Sequence, residues 1–270
     1  MPHNRPVGPL TVIALDEGDG PSLGRREEAL PEATPADWAA ADAIDPAARA
    51  ADGRWWLRFW TYAIRYGDGP VTLVDAGIGP AGALAADWAP VPGRLPAELA
   101  AAGIDPADVE TIVLTHLHDD HIGWAVPAVT PFPDARVVAQ RADVEAFADR
   151  PQEDVLLRPL RDSGRLQVLD GDAEIGPGVR VIATPGHTPG HQSVLVSAGD
   201  DEVLIAGDLL VSAVQLIRPE VAYGYDMDAE RARTTRRAVL ERHGELAVSH
   251  LGTPFTRTGK HQGRDAPPRP

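Results

Sequence analysis

The sequence predicts a single α/β domain whose sheets are covered by helices. Short apolar runs rich in β-branched residues recur along the chain, and segments with helical patterning lie between them. No repeat period is visible, and no stretch has the composition of an interdomain linker. With 270 residues, 43% of them apolar, the chain is long enough to bury one large core. We therefore expect residues 1–270 to form one domain.

The first half of the chain contains three predicted strands, at residues 10–15, 55–66 and 71–75. The segment between the first two is rich in Gly, Pro, Ala and acidic residues and has only a weak helical signal. We interpret it as a Trp-containing insertion around residues 16–60. Loops of this length more often have a function than serve only as connections. Its tryptophans are expected in the core, with an apolar wall or lid as the alternative; they are Trp38, Trp55, Trp56 and Trp60.

The second half alternates predicted strands and helices. Helices are expected at residues 95–104, 142–148 and 229–242. Strands are expected at residues 109–115, 135–139, 166–169, 179–183, 193–197, 202–206 and 245–249. Residues 256–270 are polar and rich in Pro and Gly, and we interpret them as a flexible tail. Such alternation is typical of α/β domains.

Charge and cysteine content disfavour several classes of partner. The formal net charge of −15 argues against nucleic acid and anionic membranes, because phosphate binding needs clustered Lys and Arg. The chain has no cysteine, so any metal must be held by nitrogen and oxygen. We expect no signal peptide and no membrane span, because the apolar patch at residues 10–15 is short and lacks a basic flank. A cytoplasmic location is the resulting expectation.

The strongest functional signal is the run His-Leu-His-Asp-Asp-His at residues 116–121. If the strand at 109–115 ends there, the four side chains project from one loop at its carboxyl end; they are His116, His118, Asp120 and His121. Three imidazoles and a carboxylate so close together are typical of a metal site rather than of an ordinary polar loop. The sequence therefore predicts metal-ligand chemistry here.

More ligands are needed because one loop cannot surround two metal ions. Three other predicted strands end beside suitable side chains, each next to a glycine or another small residue that lets the backbone turn. His187 lies in the run TPGHTPGH after the strand at 179–183, Asp208 follows Gly207, and His250 follows Ser249. The same architecture is expected to place each of these side chains.

Together, HxHxDH, the His in TPGHTPGH, an Asp after Gly and a late His resemble the metallo-β-lactamase superfamily over residues 71–252. The resemblance implies a four-layer αββα sandwich with two metal ions along one edge. Carried over by matching position, one metal would take His116, His118 and His187, the second would take Asp120, His121 and His250, and Asp208 would bridge them. Zinc is the expected metal, with iron or manganese as alternatives.

The chemistry expected of such a site is hydrolysis. Two divalent cations lower the pKa of a shared water, which makes hydroxide available near neutral pH, and they polarise the substrate oxygen. The resemblance further implies that Asp120 holds this nucleophile by a hydrogen bond and shuttles its proton. No side chain is then required as a nucleophile.

Several other residues are candidates for supporting the metals or lining the pocket. Asp75, in the run Leu-Val-Asp-Ala-Gly, is placed to hydrogen-bond a ligand histidine. His191 is interpreted either as a supporting residue or as an ordinary buried histidine. Trp124, three residues after His121, is expected to line the pocket. The histidines outside any cluster are expected at the surface; they are His3, His243 and His261.

The runs TPGHTPGHQS and Ser-Ala-Val-Gln-Leu are similar to the branch that holds acyl-homoserine lactonases and methyl-parathion-hydrolase-like enzymes. This implies that the protein opens a lactone or cleaves a carboxylic ester of a fairly hydrophobic small molecule. Such lactonases have a substrate-contacting Tyr after the bridging Asp, whereas Asp208 is followed here by Leu-Leu-Val. Tyr223 or Tyr225 is expected either to replace it or simply to pack nearby.

Other activities remain open on the same residues. They are a thioesterase, a phosphotriesterase, a mononuclear iron sulfur dioxygenase and a non-catalytic metal-binding protein. The dioxygenase would leave Asp120, His121 and His250 without a role, and structural metal sites are closed, so the dinuclear hydrolase is preferred. A homodimer is considered as its assembly state.

Overall fold

The computed structural model describes residues 3–22, 24–50 and 52–259. Two β-sheets of seven and six strands stack against each other, and helices cover their outer faces. This arrangement is a four-layer αββα sandwich, which confirms the predicted fold class. In the described part of the chain, no helix combines the length and the apolar character that crossing a membrane requires.

The first sheet follows chain order from β1 to β7. Its strands are β1 (His3–Val7), β2 (Leu10–Pro21), β3 (Trp56–Tyr66), β4 (Val71–Val74), β5 (Val109–Val113), β6 (Arg136–Gln140) and β7 (Leu166–Leu169). The pairs from β1 to β4 are antiparallel, whereas those from β4 to β7 are parallel. Parallel strands end at the same edge, so the loop after β5 lies where β4 and β6 also end.

The second sheet has the order β13-β12-β11-β10-β9-β8. Its strands are β8 (Ala173–Gly176), β9 (Val179–Ala183), β10 (Gln192–Ala198), β11 (Asp201–Ile205), β12 (Glu245–Ala247) and β13 (Phe255–Arg257). Among these pairs β11 and β12 are parallel and the others are antiparallel. Strands β9, β11 and β12 therefore end on one side, which gathers the segments after them.

The helices of the described residues are mostly short. They are α1 (Arg26–Ala29), α2 (Pro35–Ile44), α3 (Leu95–Ala101), α4 (Asp119–Ile122), α5 (Arg141–Ala146), α6 (Arg158–Asp162), α7 (Val214–Ile217) and α8 (Ala229–Arg242). A π-helical turn, Glu153–Leu157, leads into α6. The longest, α8, begins after Asp228, whose side chain accepts the N–H of Arg231 and caps the helix.

Three apolar layers hold the sandwich together. Alternate residues of each strand point to opposite faces, so Val113 lies between the two sheets while the preceding Ile112 faces the helices. Outside the first sheet, Ile112 packs in one cluster with Leu99 of α3. Outside the second sheet, Leu204 packs in one cluster with Trp38 of α2. The layers explain why the strands are rich in apolar residues on both faces.

The predicted insertion around residues 16–60 extends too far at both ends. Strand β2 continues to Pro21, and β3 already begins at Trp56. The register between β2 and β3 shifts between Asp16 and Gly18, where Gly18 has a φ of +151°. This bulge lets the strand continue through residues whose acidic and Gly-rich composition is typical of a loop. The insertion proper is therefore confined to residues 22–55.

The start of the predicted tail at residue 256 was also wrong. Residues Phe255–Arg257 form β13, and Thr258 is buried with its hydroxyl donating to the carbonyl of His243. The rest of that tail, residues 260–270, lies outside the described residues, as does His261. Sequence patterns also missed β1, β8, α7 and the helical stretch through α6, because short edge strands and proline-interrupted helices give weak periodic signals.

The prediction that His243 lies at the surface was wrong as well. His243 is buried at the end of α8, and its Nδ1 lies 2.9 Å from Oε1 of Glu202. The end of a helix is often exposed, but this one packs beside β11 and the segment after β13. His3, in contrast, is exposed, with its ring edge against Trp60.

Candidate metal centre

Loops from both sheets bring the predicted ligands together at one edge of the sandwich. His116, His118, Asp120 and His121 come from the loop after β5 and from α4, His187 from the loop after β9, Asp208 from the turn after β11, and His250 from the loop after β12. All except half-exposed His118 are buried. Their ligand atoms form three overlapping groups, within each of which the atoms lie within 4.8 Å of one another.

The first group consists of three imidazoles. Nδ1 of His118 lies 2.9 Å from Nε2 of His116 and 3.0 Å from Nε2 of His187. Burial lowers the pKa of His118 to about 3 and that of His116 well below its ordinary value. Neutral imidazoles present lone pairs, which is the form that binds a divalent cation.

The second group consists of Asp120, His121 and His250. Oδ2 of Asp120 lies 3.4 Å from Nε2 of His121 and 3.4 Å from Nε2 of His250. Although burial lowers it, nearby carboxylates raise the pKa of His121 well above its ordinary value, and the pKa of His250 is likewise raised. The position therefore attracts positive charge, which a divalent cation would supply.

Asp208 lies between the two groups. Its Oδ2 is 3.4 Å from Nε2 of His187, while its Oδ1 is 3.1 Å from Nε2 of His250 and 3.3 Å from Nε2 of His121. Among the described residues, neither Oδ1 of Asp208 nor Nε2 of His121 has a hydrogen-bond partner, although both atoms are buried. Leaving buried polar atoms unpaired is unfavourable. A cation between these atoms would satisfy both, so the residues fit a dinuclear metal centre.

Hydrogen bonds to the far side of the rings fix which nitrogen faces the centre. Oδ2 of Asp75 lies 2.8 Å from Nδ1 of His121, and the same oxygen accepts the hydroxyl of Thr115 at 2.9 Å. Oγ1 of Thr115 in turn lies 3.1 Å from Nδ1 of His116. Since a carboxylate only accepts, Nδ1 of His121 carries the proton and Nε2 is left for a cation. Asp75 thus contacts one predicted ligand directly and a second through Thr115.

His191 is buried behind Asp208. Its Nε2 accepts the backbone N–H of Asp208 at 3.0 Å, and its Nδ1 donates to the carbonyl of Thr184 at 3.0 Å. Burial lowers the pKa of His191 to about 3, so the ring is neutral and can accept at Nε2. It supports the backbone of a predicted ligand without belonging to any of the three groups.

A pocket of about 440 Å³ opens over the centre. It is lined by the apolar or aromatic residues Leu57, Trp88, Phe147, Val211, Tyr223, Tyr225 and Met227, and by the polar residues Ser22, Asp119, Arg150 and Gln152, besides the predicted ligands His118, Asp120, His187, Asp208 and His250. The ring of Tyr223 is stacked on that of His187, with 5.9 Å between the ring centroids. Both tyrosines singled out from the sequence therefore reach the pocket wall.

The prediction that Trp124 lines the pocket was wrong. Its indole N–H donates to Oε2 of Glu17 at 3.2 Å, and its ring packs on the core cluster outside the first sheet. Trp88, for which no sequence pattern indicated a role, lines the pocket instead. Of the early tryptophans, Trp38, Trp55 and Trp60 are buried and Trp56 is half-buried, and none is a lining residue. Core packing, the preferred interpretation, is what the structure shows.

Two supporting carboxylates were missed altogether. Asp143 of α5 accepts the N–H of Gly190 at 2.6 Å and the hydroxyl of Thr188 at 2.9 Å, which anchors the loop carrying His187. Asp226 accepts from Nδ1 of His187 at 3.1 Å. Neither stands in a spaced motif, so a single sequence carries no signal for them.

Comparisons with known proteins identify the family. Residues 56–250 match the family model of the metallo-β-lactamase superfamily. An N-acyl homoserine lactonase from Bacillus cereus is 29% identical over 217 residues, which cover 65% of this chain and 84% of that protein. Matches to two further Bacillus lactonases span only 60% and 61% of those proteins.

Two solved structures show the same fold. The hydrolase AbOPH, of the β-lactamase superfamily, has a TM-score of 0.77 at 24% identity, covering 95% of this chain and 92% of that chain. The dizinc quorum-quenching lactonase AidC has a TM-score of 0.75 at 20% identity, with the same coverage. The family match spans well over half of the sequence and includes all seven predicted ligands. The chain therefore belongs to the metallo-β-lactamase superfamily and is a metallo-hydrolase of that superfamily.

Proposed function

We propose that this protein opens a lactone, or cleaves a carboxylic ester, that carries an apolar chain. The observation that carries the proposal is the placement of Asp208, whose two oxygens face different clusters of imidazoles inside a pocket with apolar walls. The lactonases among the relatives support a lactone as the first substrate class to test.

We assign one divalent cation to His116, His118 and His187, a second to Asp120, His121 and His250, and Asp208 to both. Zinc is proposed because imidazole and carboxylate ligands suit it, and the fold neighbour AidC is named as a dizinc protein. When bound, the cations would activate water for attack and polarise the carbonyl oxygen of the substrate.

Asp120 is proposed as the residue that moves the proton. It is buried and lines the pocket. Although burial raises it, the neighbouring His121 holds the pKa of Asp120 below its ordinary value, so the group is a carboxylate. It would take the proton from the attacking water and return it to the alkoxide oxygen that leaves the carbonyl carbon.

The pocket wall supports a substrate with an apolar chain. Leu57, Trp88 and Phe147 line it together with Val211 and Met227. Burying apolar surface against such a wall contributes roughly 25 cal/mol per Å². We propose that Tyr223 and Tyr225 contact the same substrate, since both lie on this wall.

The test combines metal content with a hydrolysis screen of acyl lactones, aryl esters, thioesters and phosphotriesters. We expect about two metal ions per chain, and we expect turnover of a lactone or an ester. Both His118→Ala and Asp208→Ala should abolish this turnover. The matched control is His3→Ala, which replaces a histidine outside the centre and should retain both the metal content and the turnover. One iron per chain without hydrolysis would contradict the proposal and favour the sulfur dioxygenase. Turnover confined to thioesters or phosphotriesters would replace the substrate class and keep the metal centre.

Location and assembly belong to the same proposal. A cytoplasmic location and the absence of nucleic-acid or membrane partners remain predictions from composition, and a small-molecule substrate remains a prediction from the resemblance to the lactonase branch. The homodimer is a prediction that the sedimentation coefficient of the purified protein would check.

A further inference from the structure

A buried ion pair lies behind the metal centre, between α8 and the loop that precedes it. The guanidinium of Arg236 is 1% exposed, and the carboxylate of Asp226 is fully buried. Arg236 donates to the carbonyls of Leu209, Pro219 and Val221 at 2.7, 2.9 and 3.0 Å, and its Nη2 lies 3.4 Å from Oδ2 of Asp226. Burying a charged pair is costly unless its remaining donors are satisfied. Here three of those donors are accepted by carbonyls.

One arm of this arrangement reaches His187. Oδ1 of Asp226 lies 3.1 Å from Nδ1 of His187, while Oδ2 accepts the N–H of Tyr223 at 3.2 Å. Because the carboxylate can only accept, Nδ1 of His187 carries the proton and Nε2 is directed to the centre. The backbone N–H of Met227 also donates to the carbonyl of His187 at 3.0 Å.

The other arm reaches the segment of Asp208. Nε of Arg236 donates to the carbonyl of Leu209, the residue directly after Asp208. On its opposite side, the backbone of Asp208 is held by His191. One buried guanidinium therefore contacts both the carboxylate that holds His187 and the residue that directly follows Asp208, and His187 and Asp208 come from different loops.

We propose that Arg236 is a positioning residue that fixes His187, through Asp226, relative to Asp208, and so determines the affinity and geometry of the metal position formed by His116, His118 and His187. The inference rests on the proposed function in that these residues bind metal. It also ties the pocket wall to the metals, because Tyr223 and Met227 lie on the loop that Arg236 and Asp226 hold.

The test compares Asp226→Asn, Arg236→Met and Arg236→Lys with Arg237→Met, an exposed arginine at the next position of the same helix. Zn²⁺ affinity is measured by competition with a chelator on protein whose folding is verified by circular dichroism. The coordination geometry is followed by the visible absorption of the Co²⁺-loaded chain. Neither readout requires a substrate.

We expect Asp226→Asn and Arg236→Met to weaken one of the two metal positions by about 10- to 100-fold and to alter the Co²⁺ spectrum, as removal of residues behind metal ligands does. The metal affinity of Arg236→Lys should lie between that of these two variants and that of the unmodified chain, because lysine keeps the charge but has fewer directed donors. In the double variant Asp226→Asn/Arg236→Met, the loss of metal affinity should be smaller than the product of the two single losses, since both changes break the same link to His187. Arg237→Met should leave both metal positions unchanged.

Affinities within about twofold of the unmodified chain and an unchanged spectrum in folded Asp226→Asn and Arg236→Met would overturn the inference. If Arg236→Met does not fold, Asp226→Asn and Arg236→Lys decide. An unmodified chain that binds two metals without opening lactones removes the proposed substrate, while the affinity comparison still decides the role of Arg236. A chain that binds no metal removes both.

Discussion

At the scale of single residues, the candidate metal centre depends on hydrogen bonds that orient side chains from behind. Asp75 adopts a φ of +65°, in the left-handed region that is uncommon for residues other than glycine. Its carboxylate contacts His121 and Thr115 and thereby also fixes His116. Strain at this residue persists because three groups depend on its position.

Gly207 precedes the predicted ligand Asp208 and has no room for a side chain. Its φ is +57°, and a Cβ there would lie 2.8 Å from Nε2 of His191 and 2.8 Å from Cβ of Thr115. We expect Gly207→Ala to destabilise the fold by about 1–3 kcal/mol through backbone strain and to displace Asp208, with loss of bound metal. Thermal unfolding and metal content measure the two effects.

Gly199→Ala is the matched control for this change. Gly199 has a φ of +62°, but a Cβ there meets nothing within 4 Å. It should lower stability by strain alone and retain both metals. Equal metal content in the two variants would show that the close approach of Gly207 to His191 does not position Asp208.

At the scale of elements, the bulge in β2 places an acid in the core beside the loops that frame the centre. Glu17 is 1% exposed and accepts the N–H of Ile78 at 2.9 Å, the N–H of Leu95 and the indole of Trp124. Burial raises the pKa of Glu17 to about 8, although these donors lower it. The bulge therefore joins β2, α3 and the segment after α4 through one titratable group.

Because the folded pKa of Glu17 lies above its unfolded value, its contribution to stability is complete below about pH 4.5 and is lost as the pH rises through about 8. We expect the difference in free energy of unfolding between the metal-free chain and Glu17→Gln to fall across that window, with a slope of at most about 1.4 kcal/mol per pH unit. Urea unfolding at several pH values measures it.

The comparison isolates one carboxyl group, because the histidines of the centre are common to both chains. Glu241→Gln, at an exposed position of α8, is the control and should show a difference that does not change with pH. A difference for Glu17→Gln that is equally flat would mean that Glu17 is ionised in the fold.

At the scale of the whole molecule, the candidate metal centre lies where the two sheets meet. His116, His118, Asp120 and His121 follow β5 of the first sheet, whereas His187, Asp208 and His250 follow strands of the second. Cations bound between them would link the two halves of the sandwich, and a ligand that binds only the folded state stabilises it by mass action.

Metal removal should therefore lower the melting temperature. At free zinc about 1,000 times the dissociation constant, each bound cation contributes about 4 kcal/mol, which for a chain of this size corresponds to roughly 8–16 °C per cation. Scanning calorimetry with chelator, and after zinc is returned, measures the shift. Asp208→Ala should respond much less, because it loses the residue common to both positions; a melting temperature of the unmodified chain that ignores chelator would contradict this link.

Much of the fold and the centre could be predicted from the sequence because the informative signals are local. Strand β5 and the run His116 to His121 are contiguous, and the remaining predicted ligands each follow a strand end. Strand boundaries were less predictable where a strand has the composition of a loop. An example is the β2 bulge, whose Gly and acidic residues are typical of loops.

The sequence by itself predicted an α/β domain and, through its resemblance to the superfamily, the αββα fold class and the seven side chains that the structure brings together, since the type and spacing of these side chains can be read directly from the chain. Only the tertiary structure decided that Trp88 rather than Trp124 reaches the pocket, and that Asp226 and Arg236 lie behind His187. The physical reason is that these roles arise from contacts between residues distant along the chain. An aspartate or a tryptophan outside a motif acquires its role only from what packing places beside it.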